Sequence, residues 1–182
     1  MERLSFALFP DRCAHVARMR APASSLFAAS TSSARDVAVI SLSRVLDKRH
    51  VYVAASRAVG ENDSLKKSAN AFLNAFAASR SHDEAFRSFG AASFDAESAA
   101  GADALVAVFD ATSEEDARAV MLRTVPDGRI VEALFPEEER ERPQNEAQVR
   151  EYYGIRGPEE AACGLSLCVA RRVACRNVVK QF

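Results

Sequence analysis

Few side chains in this sequence have the chemistry to bind a metal ion or to attack a substrate. The thiols and imidazoles are Cys13, Cys163, Cys168, Cys175, His15, His50 and His82. Structural zinc sites pair their cysteines closely, as Cys-x-x-Cys, and add further ligands at regular spacing. This chain has no such pair, and its histidines are far apart. We therefore expect four free thiols, no metal ion and no cofactor.

Sequence motifs of common catalytic sites are also missing. The chain has no glycine-rich phosphate loop, no G-x-S-x-G nucleophile turn and no H-E-x-x-H zinc helix. Ser166 falls within a predicted helix, where a hydroxyl usually bonds back to a carbonyl. Glu114 and Glu115 are explained by helix capping rather than by acid–base chemistry. We expect a protein that is not an enzyme, and a small enzyme without a recognisable motif remains the alternative.

Basic side chains offer a different chemistry, the binding of phosphate groups. The candidates for contact with RNA are Lys66, Lys67, Arg80 and Arg87 on consecutive predicted helices, and Arg172 and Arg176 near the end of the last helix. A solvated helix face is the alternative explanation of the first set, and interaction with the helix dipole is the alternative explanation of the second. Since the formal net charge is −1 and the pI is about 6.3, any contact with RNA should be local and weak.

Length and composition indicate one folded unit. The 182 residues are 48% hydrophobic and 27% charged, which suffices for one substantial core and a single domain over residues 1–182. No apolar run approaches the roughly 20 residues that a membrane helix needs, so we expect no membrane association. Arginine, alanine and serine near the N-terminus also fit a cleaved organellar segment, although the alternation of Leu4, Phe6 and Leu8 favours a folded strand.

The last long apolar run, residues 158–179, is predicted to form one helix. Pro158 suits its first turn and arginines crowd its end. Its apolar surface is wider than the stripe that a surface helix needs for the core. Either the helix is largely buried, or one side of it binds a partner. The residues that we assign to a partner contact are Leu165, Leu167, Ala170 and Ala174.

The remaining elements predict an α/β (α+β) fold, with a small antiparallel or mixed sheet covered by several helices. Strands are predicted over residues 4–8, 14–19, 37–40, 104–109 and 129–135, with 37–40 and 104–109 in the interior of the sheet. Helices are predicted over residues 25–29, 48–59, 65–76, 81–89, 112–123 and 145–153. Sequence alone does not fix the strand order.

Several segments, taken in order, resemble the TPRKB family, the kinase-binding subunits of the KEOPS complex. They are Leu8-Phe9-Pro10, residues 51–58 (VYVAASRA), residues 68–77, Ser79-Arg80, residues 84–90 (EAFRSFG) and Tyr153-Gly154-Ile155 with the C-terminal helix. The resemblance spans nearly the whole chain. This sequence differs from the family pattern in its acidic loop at residues 137–141 and in Asn74 and Ala75.

The resemblance implies a non-catalytic subunit at one end of a linear assembly, in the cytoplasm and nucleus. Its direct partner would be the small atypical protein kinase subunit of KEOPS. That kinase contacts the subunit that transfers threonylcarbamoyl to an adenine beside the tRNA anticodon. The family is also implied to help capture tRNA at the single-stranded CCA end. An aromatic side chain such as Tyr52 or Phe89 could stack on a base there.

Overall fold

One antiparallel sheet organises the molecule. In this computed structural model the described residues are 4–9, 12–31, 37–60, 68–78, 81–94, 101–109, 111–131, 135 and 143–175. The strands are β1 (Leu4–Phe9), β2 (Arg12–Ala21), β3 (Val37–Ser41), β4 (Ala102–Val108) and β5 (Arg129–Val131). Their order is β1-β2-β4-β3, and β5 pairs with β2 beside the end of β1. The α+β expectation is confirmed, and every described strand pair is antiparallel.

Both faces of the sheet are covered by helices. The helices are α1 (Ala23–Thr31), α2 (Lys48–Gly60), α3 (Ser68–Phe76), α4 (His82–Phe89), α5 (Glu114–Thr124), α6 (Pro143–Tyr153), α7 (Gly157–Cys163) and α8 (Leu165–Cys175). Alternation along β4 places Leu105 and Ala107 in one core, with α2, α3, α4, α6 and α8. Val106 and Val108 enter a second core, with α1 and α5. The chain therefore folds as three layers with the sheet in the middle.

Strand β4 lies between two neighbours, as its continuous apolar sequence predicts. The expectation that β3 is an interior strand is wrong, because β3 stands at the end of the strand order. Residues 38–41 are nevertheless buried, since helix α1 packs on one face of β3 and α3 on the other. A continuous apolar run thus indicates that both faces of the strand are covered. It does not indicate that another strand pairs with each of its two edges.

Helix starts follow side-chain caps that the sequence indicates. The carboxylate of Asp47 accepts a hydrogen bond from the amide of His50 at 2.9 Å, and Ser81 caps α4 through the amide of Glu84 at 3.3 Å. The predicted start of α5 at residue 112 is early, because Ser113 caps the helix through the amide of Asp116 at 3.1 Å. The described part of β5 also ends at Val131, short of the predicted strand end at residue 135.

Candidate functional site

A bend divides the C-terminal apolar segment in two. Gly164 has φ 78° and ψ 152°, and its amide donates to the carbonyl of Glu160 at 2.7 Å, which ends α7. The amide of Cys168 then donates to the carbonyl of Gly164 at 3.1 Å, in the first turn of α8. The expectation of one continuous helix is therefore wrong. A glycine adopts positive φ without steric cost. Gly164, inside the helical pattern, is therefore the residue in the sequence that could indicate a helix end here.

Helix α8 uses one side to close the main core. Cys168, Val169 and Val173 are buried there, at 0 to 1% exposure, as α8 packs on α2. The guanidinium of Arg57 on α2 donates to the carbonyl of Val173. Ala170 is also buried, at 6% exposure, so the side chain of this residue faces protein rather than solvent.

The other side of α8 is open to solvent. Leu167, Arg171 and Ala174 are spaced by four and three residues, which places them on one helical face. Arg171 and Ala174 are exposed, and Leu167 is partly exposed. None of the residues of α7 is buried. We call Leu167, Arg171 and Ala174, together with α7, the outer C-terminal surface.

Leu165 and Leu167 point in different directions, although both are assigned to a partner contact by sequence. Residues two apart on a helix differ by about 200° around the axis. Leu165 packs against the main core and helps to line an open pocket of about 410 Å³. The other lining residues are Leu46, Asp47, Lys48, Arg49, Phe135, Glu146 and Ser166. The structure therefore separates a core-side leucine from a solvent-side leucine.

Ion pairs fasten α7 to its neighbours. Arg150 of α6 makes two hydrogen bonds to the carboxylate of Glu160, both 2.8 Å long, and a third to Glu146 at 2.9 Å. These bonds raise the pKa of Arg150 and lower the pKa of Glu160. Arg172 of α8 pairs with Glu159 at 2.9 Å. Charged groups at the surface thus help to position α7, none of whose residues is fully buried.

A buried polar network fixes α2, on which α8 rests. The amide of Leu46 donates to His50 Nδ1 at 3.3 Å, so the other ring nitrogen carries the proton of a neutral imidazole. His50 Nε2 lies 2.9 Å from the hydroxyl of Tyr153, which donates to the carbonyl of Phe76. Burial lowers the pKa of His50 to about 3, because the charged imidazole would lose its hydration. The network joins α2, α3 and α6 in one arrangement.

Only part of the predicted RNA-contact set falls within the described residues. Lys66, Lys67, Arg80 and Arg176 lie outside them. Arg87 is exposed on α4, and Arg172 is exposed but paired with Glu159. These two arginines lie on different helices, α4 and α8.

The two aromatic candidates for base stacking differ in exposure. Tyr52 on α2 is 49% exposed. Phe89 is fully buried, with its ring centroid 5.6 Å from that of Phe76 and 5.3 Å from that of Tyr152. The suggestion that Phe89 could stack on a base is therefore wrong. Phe86 and Phe89 are three residues apart on α4, which places both on its core-facing side.

Two of the four thiols lie together, which their spacing in the sequence does not indicate. The sulfur atoms of Cys163 and Cys168 are 3.2 Å apart. The bend at Gly164 brings them together. The glycine between the two cysteines is therefore the feature of the sequence that could indicate their contact. Within the described ranges, no cluster of three or more His, Cys, Asp or Glu side chains could hold a metal ion.

Comparison with known families extends over most of the chain. Residues 20–177 match the sequence profile described as kinase binding protein CGI-121, the TPRKB family. The chain belongs to this family. The match to the CGI-121 family includes α2 and both helices of the C-terminal segment, whereas Leu8-Phe9-Pro10 lies before its first residue. No curated protein gives a significant match.

The CGI-121 family is described as kinase-binding, so this chain belongs to a kinase-binding family. A protein that binds a kinase needs a surface that the partner can cover. Among the described residues, no helix combines the length and hydropathy needed to cross a membrane. The outer C-terminal surface combines apolar side chains, small residues and a lack of burial in one short segment.

Proposed function

We propose that this protein is a non-catalytic subunit of a KEOPS complex in the cytoplasm and nucleus, and that it binds the small atypical kinase through the outer C-terminal surface. The observation that carries the proposal is the contrast within α8. Its core side is fully buried, while Leu167 and Ala174 leave apolar area on the opposite side. Apolar area left on a protein surface commonly marks a protein contact, and the family is described as kinase-binding.

The composition of this surface suits a protein partner. The small side chains of Ala161, Ala162 and Ala174 allow a neighbouring backbone to approach closely, and Leu167 supplies an apolar anchor. Arg171 adds a charged group at the side of the anchor. An apolar centre with polar groups around it is the usual organisation of protein interfaces.

Three arginine substitutions test the kinase contact. Leu167→Arg should leave the fold intact and weaken binding to the purified kinase subunit at least about tenfold, because a charge enters a desolvated contact. Leu165→Arg should lower stability, because this side chain packs against the core. Leu122→Arg is the matched control, since Leu122 is 38% exposed on α5, across the sheet.

Titration calorimetry measures the kinase affinity, and urea unfolding measures the stability of each variant. The proposal requires Leu122→Arg to bind like the wild type while a folded Leu167→Arg does not. Equal affinities for these two variants would place the kinase contact elsewhere. Wild-type protein that does not bind the kinase at all would remove the proposed function.

We propose further that the subunit helps to recruit tRNA at its 3′ CCA end for threonylcarbamoyl modification of the adenine beside the anticodon. The transferase subunit would be an indirect partner, through the kinase. Arg87 supports this role because it is an exposed cation on α4, which covers the same face of the sheet as α2, where Tyr52 is 49% exposed. Lys66, Lys67 and Arg80 stay predictions from sequence.

Charge reversal at Arg87 tests the RNA contact. Arg87→Glu should weaken tRNA binding and lower the log–log salt slope by about 0.7, the value for one phosphate contact to a single strand. The control is Arg123→Glu, because Arg123 is exposed on α5, on the other side of the sheet. Fluorescence titration with whole tRNA and with tRNA lacking its CCA end gives both affinities. Identical binding by both variants to both RNAs would remove Arg87 from the RNA contact.

A further inference from the structure

Two thiols meet at the bend between α7 and α8. The sulfur atoms of Cys163 and Cys168 are 3.2 Å apart, and the carbonyl of Glu159 accepts from them at 3.3 and 3.5 Å. On a continuous α-helix, residues five apart would lie about 7.5 Å apart along the axis and about 140° apart around it. The positive-φ conformation of Gly164 therefore creates the pair.

We propose that Cys163 and Cys168 are a redox modification site, at which oxidised glutathione converts the two thiols to an intramolecular disulfide. A disulfide bond is about 2.05 Å long, so from 3.2 Å the sulfur atoms need to approach by about 1.2 Å. Cys163 belongs to α7 and therefore lies within the outer C-terminal surface, but the proposed thiol chemistry does not depend on kinase or RNA binding. In reducing compartments, disulfides of this kind are transient and redox-sensing rather than structural.

The two cysteines differ in access, which sets the order of the steps. Cys163 is partly exposed and Cys168 is buried. Arg171 Nη1 lies 3.8 Å from Cys163 Sγ, so a positive charge stands beside the accessible sulfur and attracts the anionic glutathione disulfide. Burial, followed by the neighbouring Cys163, raises the pKa of Cys168 to about 11, which keeps this thiol protonated. Cys163 is therefore the sulfur that reacts first, and Cys168 is the resolving thiol.

The reaction consists of two thiol–disulfide exchanges. In the first, Cys163 loses its proton and attacks one sulfur of oxidised glutathione, forming a mixed disulfide and releasing one glutathione thiol. In the second, Cys168 loses its proton and attacks Cys163 Sγ, releasing the second glutathione thiol. The protein loses two electrons and two protons, and one oxidised glutathione becomes two reduced molecules.

Cys175 provides an internal control for this chemistry. It is exposed on α8, and trypsin cleavage after arginine separates it from the pair. Peptide 157–171 contains Cys163 and Cys168, whereas peptide 173–176 contains Cys175. The full-length protein is equilibrated with a fixed concentration of reduced glutathione and increasing oxidised glutathione. Free thiols are then blocked with N-ethylmaleimide, and the masses of the tryptic peptides are measured by mass spectrometry.

We expect peptide 157–171 to lose two hydrogen atoms and to take up no maleimide. Half conversion should need at least about tenfold less oxidised glutathione than half modification of Cys175, because the second exchange is intramolecular. Cys168→Ala should leave Cys163 as a glutathione mixed disulfide, and Cys163→Ser should leave Cys168 as a free thiol. Two maleimides, or one retained glutathione, on wild-type peptide 157–171 when Cys175 is fully modified would overturn the proposal.

Discussion

Helix α2 and the α7–α8 segment have similar apolar content but very different packing. The inner positions of α2, Val51, Ala54, Ala55 and Ala58, are all fully buried. Helix α7 buries none of its residues, and α8 buries one side only. Apolar side chains that are buried in the core stabilise the fold. Apolar side chains that remain exposed are available to a partner.

The polar groups of the two regions follow the same division. At α2, His50 and Tyr153 form a buried network in which each group has a partner of the same protein. At α7, the ion pairs of Glu159 and Glu160 stand at the surface. Breaking a buried network leaves a desolvated polar group, whereas breaking a surface ion pair exposes it to water. Substitutions of polar groups should therefore lower stability more at α2 than at α7.

Removal of the ring that supports α2 should have the largest effect on stability. Phe76 is fully buried, and its ring centroid lies 4.9 Å from that of His50 and 5.0 Å from that of Phe72. Phe76→Ala should lower the free energy of unfolding by about 3–5 kcal/mol, through lost burial and the cavity left behind. Phe27→Ala, at a half-exposed position on α1, should cost less than about 1 kcal/mol. Urea unfolding of both variants checks the difference, and similar costs would contradict the burial of Phe76.

The buried network predicts a loss of stability in acid. The pKa of His50 is about 3 in the folded protein and about 6.5 when unfolded, so the unfolded chain binds the extra proton between these values. Its contribution to stability is complete above pH 6.5 and falls by about 1.4 kcal/mol for each pH unit as the pH drops toward 3. His50→Gln lacks this titration. Between pH 6.5 and 4.5 the wild type should lose about 2–3 kcal/mol more stability than His50→Gln, and parallel pH profiles would contradict the neutral, buried imidazole.

The bend should be sensitive to substitution for a conformational reason. A Cβ atom at Gly164 would meet nothing within 4 Å, so only the positive φ opposes a side chain there. Gly164→Ala should cost about 1–3 kcal/mol in stability, the range for strained backbone conformations of this kind. Gly157→Ala is the matched control, because that glycine also has open space but its φ lies outside the positive range. Equal thermal stability of the two variants would show that the bend does not depend on glycine.

Local patterns in the sequence predicted most of the elements, and contacts over long distances account for what they missed. The inner face of α2 and the caps at Asp47 and Ser81 follow from spacing and side-chain chemistry, and the structure confirms them. Strand order does not follow from the sequence. Helices cover both faces of the edge strand β3, so its sequence is as apolar as that of a central strand. The His50–Tyr153 contact joins residues 103 positions apart, beyond the reach of any periodic pattern.

The sequence assigns the candidate site to the C-terminal apolar segment, but not to a particular side of its helices. Helical periodicity indicated surplus apolar area, but an uninterrupted helix through Gly164 gave the wrong direction for the residues before it. Leu165, Leu167 and Ala170 were grouped by sequence, whereas the structure places Leu165 and Ala170 toward protein and Leu167 toward solvent. All three belong to α8, so their directions follow from its turn of about 100° per residue and not from the bend at Gly164.

Hydrogen exchange of the free protein and of its complex with the kinase tests the central claim most directly. Amide exchange reports local protection without any substitution. The account predicts that kinase binding slows exchange in α7 and α8, where α7 has no buried residue in the free chain. Exchange in α5, on the other side of the sheet, should not change. Protection of α5 together with unchanged exchange in α7 and α8 would contradict the assignment of the outer C-terminal surface to the kinase.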